Sequence, residues 1–174
     1  MVSESAASKA ARASGLALIG GAEKNDRVAA TTKGTGQLID EALTLGAKRI
    51  IVVDTNPMKE AVAKSFGATD FINPKMQNVV ETVVAMTGIG ADYSFDCAGY
   101  PETLKAAVQC LNKGWGKAIS VGSSGTDVAI PLTFFDLAGR SLSRTLMGSA
   151  RREHVSEYVN WFLDGKLKLD NLVS

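Results

Sequence analysis

Short apolar runs alternate along this chain with longer segments whose apolar residues recur at helical spacing. "RIIVVD" (49–54), "TDFIN" (69–73), "ADYSFDCAG" (91–99), "GKAISVG" (116–122) and "SRTLMG" (143–148) have strand length and strand composition. Between and after them, "PMKEAVAKSFGA", "NVVETVVAMTG", "PETLKAAVQCLN" and "EHVSEYVNWFLDG" place apolar residues at i, i+3 and i+4, the stripe of an amphipathic helix. Several of these segments end in Gly or Asn, and Pro57 and Pro101 stand where a first helical residue tolerates proline. Strands separated by helices predict an α/β fold: a Rossmann-like, doubly wound parallel sheet of five or six strands in three layers. For "GLALIG" (15–20) two readings stay open, an added edge strand or a turn of helix.

Composition narrows this picture. At 174 residues and 45% hydrophobic content the chain suits a single domain, residues 1–174, and no repeat, low-complexity tract or linker divides it. The net charge of +1, with acids and bases interspersed, gives no reason to expect nucleic acid or a membrane surface as partner. No apolar run has the length of a membrane span, and the N-terminus lacks a signal-peptide core, so a cytoplasmic protein is expected. Cys97 and Cys110 are too few for a disulfide framework and read as thiols, most simply as small buried hydrophobes.

In an open α/β sheet, ligands sit at the carboxyl ends of the strands, so three such ends carry the candidate chemistry. Asp54 closes "RIIVVD" about twenty residues after Gly34-Thr35-Gly36, where a carboxylate takes hydrogen bonds from an adenosine ribose and repels a 2′-phosphate. It favours NAD over NADP. Cys97-Ala98-Gly99 and Val121-Gly122-Ser123 end two later strands with small residues, which lets a flat ring or a ribose approach the backbone. The alternative for both is an ordinary strand-to-helix turn. Gly34 and Gly36 resemble the start of a pyrophosphate loop, yet the third glycine position of G-x-G-x-x-G is Ile39.

From Ala47 onward, "GATDFINP", "DYSFDCAG" and "GWGKAISVG" follow in the order and spacing of the coenzyme domain of zinc-dependent medium-chain alcohol dehydrogenases. The segment resembles in particular their glutathione-dependent formaldehyde dehydrogenase branch. That resemblance implies a ribose site at Asp54 and Lys59, a crevice floor at Cys97, Ala98 and Tyr100, and a nicotinamide flanked by Val121, Gly122, Ser123, Thr145 and Met147. It also implies a subunit contact near "SRTLMGS", hence a homodimer. The family's zinc-carrying catalytic domain has no counterpart in this sequence. Cys97, Cys110 and His154 lie on the strand and helix pattern of the coenzyme domain, so no zinc is expected, and His154 reads as a solvated surface residue.

Residues 7–52, with "ASGLALIGG" and "TTKGTGQLIDEALTLGAKRIIV", are similar instead to bacterial-type glycerate kinases. The two resemblances meet within residues 46–53. Together they imply a fragment chimera, engineered rather than natural, in which Gly34-Thr35-Gly36 is a kinase helix start. Two classes of function follow. One is a folded module with residual, weak NAD binding or none. The other is an enzyme, either an alcohol or aldehyde oxidoreductase fragment or a kinase remnant. Neither parent's full active site is present, which weighs against the second and leaves no catalytic residue to name.

Overall fold

The computed structural model describes residues 16–19, 47, 49–122, 129–145, 152 and 154–165, the first four by their backbone alone. Six strands form one sheet: β1 (Leu16–Ile19), β2 (Ile50–Val53), β3 (Asp70–Ile72), β4 (Tyr93–Asp96), β5 (Lys117–Ser120) and β6 (Ser141–Arg144). Helices α1 (Lys59–Ser65), α2 (Val79–Thr87) and α3 (Pro101–Gln109) connect β2 to β5, a 3-10 helix (Phe134–Leu137) precedes β6, and α4 (His154–Leu163) follows it. The strand order is β3-β2-β1-β4-β5-β6, the order of a dinucleotide-binding doubly wound sheet.

The sheet departs from the parallel expectation at one strand. β2 pairs with β3, β4 with β5 and β5 with β6 in parallel, whereas β1 runs antiparallel to both β2 and β4. "GLALIG" thus supplies neither an edge strand nor a helical turn but the strand between the two halves. Its register sets Leu16 opposite Val53 and Asp96, and Ile19 opposite Ile50 and Tyr93. Ile19 and Ile50 therefore lie at the same edge of the sheet. An apolar run of four reads alike in either direction, so the pattern that marks a strand is silent on its sense.

β2 is the spine of the core. Successive side chains of a strand face opposite sides, and Ile50, Ile51, Val52 and Val53 are all 0–3% exposed, so both faces of the sheet are covered here. Each such side chain contributes about 1.5–3 kcal/mol by burial. Ile72, Val83, Ala107, Val108, Leu111 and Ala118 complete the packing around it.

The helix ends follow from their sequences, with two adjustments. Asn78 caps α2 by accepting from the Glu81 N–H at 3.2 Å and donating back to its carboxylate, and Gly88 ends that helix at φ +80°. Pro101 opens α3 as expected. Pro57, by contrast, lies outside α1, because Asn56 folds its side chain back onto the Met58 N–H and delays the first turn to Lys59. β6 starts two residues earlier than the apolar pattern suggests. The Arg140 guanidinium donates to the carbonyls of Gln109, Leu111 and Asp136, which fixes the chain just before Ser141 against the end of α3.

Candidate nucleotide site

Parallel strands deliver their carboxyl ends to one edge, and the turns after β2, β4 and β5 gather there. Asp54 follows β2 directly. Its backbone N–H donates to the Ile72 carbonyl at 3.1 Å, which continues the β2–β3 ladder and holds the carboxylate at the strand tip. Oδ1 accepts from the Asn56 N–H at 2.8 Å. Oδ2 forms an ion pair with Lys59 Nζ at 3.1 Å, and among the described residues this fully buried oxygen has no hydrogen-bond partner besides. A buried carboxylate oxygen has room for more than one donor, and a vicinal diol supplies two. Lys59, on the first turn of α1, is partly exposed beside it, so a cation and a carboxylate face the same space.

β4 ends in Asp96, also fully buried. Its carboxylate accepts from the N–H groups of Ala98 and Gly99, at 3.1 Å each, and from the Thr103 hydroxyl at 2.9 Å. Burial raises the Asp96 pKa, and the hydrogen bonds from Gly99, Thr103 and Ala98 oppose that rise. These bonds fix the turn through Cys97, Ala98, Gly99 and Tyr100, with Gly99 at φ +78°, and aim it into α3. The Asp96 carbonyl in turn accepts from Val121 and Gly122 at 2.7 and 2.9 Å. Asp96 is the organising residue that sequence reading passed over. The signal was present in "FDCAG", an acid two and three residues before N–H groups that it can cap.

The β5 turn lies against the β4 turn. A Cβ on Gly122 would stand 2.4 Å from the Cys97 carbonyl oxygen and 2.5 Å from the Gly99 nitrogen, so only glycine permits this approach. Thr145, just past β6, donates its N–H to the Ser120 carbonyl at 2.9 Å and joins the same edge. The structure thus brings Cys97, Ala98, Gly99, Tyr100, Val121, Gly122 and Thr145 together on one side. Asp54 and Lys59 lie on the other, with the amino end of β1 between the two groups. Gly34, Gly36, Ser123 and Met147 lie outside the described residues.

Among the described residues, no three or more His, Cys, Asp or Glu side chains lie together as metal ligands. Neither Cys97 nor Cys110 is in a disulfide, the first is half-buried and the second fully buried, and burial pushes the Cys110 thiol well up. His154 is half-buried rather than fully solvated, because its ring meets Tyr158 one helical turn on at 6.3 Å. No helix among the described residues is long and apolar enough to cross a membrane.

A sheet of this order with a buried acid after its second strand defines a nucleotide-binding α/β domain, and comparison with known proteins names the family. The zinc-binding dehydrogenase model matches residues 34–164, and the chain belongs to that family. The glycerate kinase family model matches residues 1–53, overlapping the first over 34–53. The chain is 39% identical over 151 residues to S-(hydroxymethyl)glutathione dehydrogenase of Paracoccus denitrificans, covering 81% of this chain and 40% of that protein. It is 40% identical over 134 residues to alcohol dehydrogenase class-2 isozyme 2 of Oryctolagus cuniculus, covering 75% and 35%. Benzyl alcohol dehydrogenase from Acinetobacter calcoaceticus superposes with a TM-score of 0.75 at 30% identity, over 80% of this chain and 39% of that one. The chain therefore spans about 40% of the length of the curated relative first named.

Proposed function

We propose that the chain is a recombined nucleotide-binding domain that holds NAD(H) weakly through its adenosine half and carries no complete catalytic site. The observation that carries this reading is the buried Asp54 carboxylate at the tip of β2, ion-paired with the partly exposed Lys59. Asp54 accepts from the ribose hydroxyls and, by its charge, disfavours a ribose that bears a phosphate. Lys59 neutralises the buried acid and offers a donor to the same sugar. On the other side, the Cys97–Tyr100 turn, Val121, Gly122 and Thr145 present small side chains and backbone to a flat ring. The nicotinamide, when bound, is the hydride acceptor or donor of alcohol chemistry. These residues bind and orient it.

Weak binding follows from β1. A dinucleotide's pyrophosphate is ordinarily held by the glycine turn and helix N-terminus that follow the first strand at the crevice edge. Here the chain leaves β1 at Ile19, beside Ile50 and Tyr93, at the opposite edge. The two family matches, 1–53 and 34–164, support a join of a kinase-like and a dehydrogenase-like piece, which we read as engineered. On this reading the protein binds no zinc, nucleic acid or membrane and resides in the cytosol. β6 lies at the sheet edge, which supports a homodimer through that strand.

The second reading, an oxidoreductase fragment active only with a catalytic domain supplied separately, is favoured by the relatives named as alcohol dehydrogenases. A titration with NADH, followed by cofactor fluorescence and by displacement with ADP-ribose, tests the first reading. Saturable binding that Asp54→Asn weakens supports it, and no binding at millimolar NADH overturns it. Alcohol oxidation by the chain alone would favour the enzyme.

A further inference from the structure

Among the described residues, β1 is the hydrogen-bonded link between two half-sheets, β3-β2 on one side and β4-β5-β6 on the other. Without it, β2 and β4 would present unpaired backbone edges across a notch in the middle of the fold, and such edges recruit another strand. The notch accepts one extended segment of four residues, paired on both sides and antiparallel to its neighbours. The ends of β1 and β2 are adjacent, with Ile19 opposite Ile50, yet residues 20–49 separate them in sequence where a hairpin needs two to five residues.

We propose that the notch between β2 and β4 is a strand-acceptor groove, which a second copy of the chain fills with its own Leu16–Ile19. The exchanged strand makes the same pairs as the resident one, Ala17 opposite Val52 and Phe95, and Leu18 opposite Ile51 and Ser94, so exchange keeps these backbone pairs. What separates the two states is the tether. Residues 20–49 can span up to about 100 Å when extended, ample to reach a neighbouring molecule. The exchange reaches the candidate site, because the amino end of β1 lies between Val53 and Asp96, next to Asp54 and Cys97. In the exchanged dimer each crevice would be completed by the partner copy. This contact is distinct from pairing at the β6 edge, which leaves β1 in its own chain.

Disulfide trapping with full-length chains tests it. Ala17→Cys is placed in one chain and Val52→Cys in another, with Leu18→Cys and Ile51→Cys as a second pair. Adjacent antiparallel pairs alternate in spacing, so one pair or the other suits a disulfide. The two singly substituted chains are mixed, refolded together at low and tenfold higher concentration, oxidised and run unreduced beside the unsubstituted chain, which gives the background from Cys97. A cross-linked heterodimer that increases severalfold with concentration, above that background, is the expected result. The same two cysteines placed in one chain close an internal disulfide when β1 stays at home. Internal closure at every concentration with no heterodimer overturns the proposal. So does a dimer that no β1–β2 cysteine pair cross-links, or a double variant that closes neither way.

Discussion

Gly122 abuts the backbone of Cys97 so closely that a methyl group at position 122 would stand 2.4 Å from the Cys97 carbonyl oxygen. The obstacle is main chain and cannot rotate away. Gly122→Ala must push the β5 turn from the β4 turn, and overpacking of this kind costs about 1–3 kcal/mol. Urea unfolding should show that loss, and NADH should bind more weakly than the stability change alone explains, since the displaced turn is part of the crevice.

Asp54 and Lys59 form a pair with one fully buried member. Asp54→Asn keeps the shape and removes the charge, and it should weaken NADH and ADP-ribose alike, by about tenfold, a typical loss for a hydrogen bond to a charged group. Lys59→Met leaves the carboxylate without its cation. Because Lys59 is partly exposed, water screens the pair, and the expected destabilisation is about 1 kcal/mol rather than the larger penalty of a fully buried pair. Thermal melts of the two variants separate the binding role from the structural one.

NADH and ADP-ribose should bind with affinities within about threefold of each other, since a nicotinamide exposed to water contributes little beyond the adenosine half. Isothermal titration with both ligands checks this. NADH binding a hundredfold tighter would mean that the β4–β5 side holds the ring firmly after all.

Two acids give opposite pH dependences. Asp136 accepts from the Thr133 N–H, the Gln109 amide and the Thr133 hydroxyl, which lower its pKa to about 2. A lowered folded pKa means that the unfolded chain binds more protons, so this stabilisation is present above about pH 4 and is lost as pH falls toward 2. Asp96 is raised by burial, so the folded state binds more protons there. Its favourable share is present below the ordinary carboxylate range and is lost as pH rises through the raised value. Urea midpoints from pH 2 to 7 should show a smaller acid loss for Asp136→Asn and a smaller decline with rising pH for Asp96→Asn.

Arg140 ties the 3-10 helix and the start of β6 to the end of α3 through the carbonyls of Gln109, Leu111 and Asp136. Arg140→Ala should cost about 2–3 kcal/mol, because carbonyls that a charged donor had satisfied lose it. Arg140→Lys should recover less than half, since an ammonium cannot reproduce the planar fork. Equilibrium unfolding of the three chains decides it.

The alternation of apolar runs and helical stripes in the sequence was enough to define β2 through β5 and their helices, and it left five or six strands for the sheet. Each element there satisfies its own backbone or buries its own stripe, and Asn78, Gly88 and Pro101 mark its ends through local geometry. Asp54 was legible for the same reason, as an acid at the tip of an apolar strand. The resemblance to two families was legible too, because family motifs are local strings. Tertiary structure alone decided the direction of β1, since "LALI" carries the same pattern up or down and only the edges of β2 and β4 set its sense and place. It also decided the role of Asp96, whose three donors come from a turn and a helix, and the contact of Gly122 with Cys97, two residues whose separation in sequence gives no hint that their backbones touch.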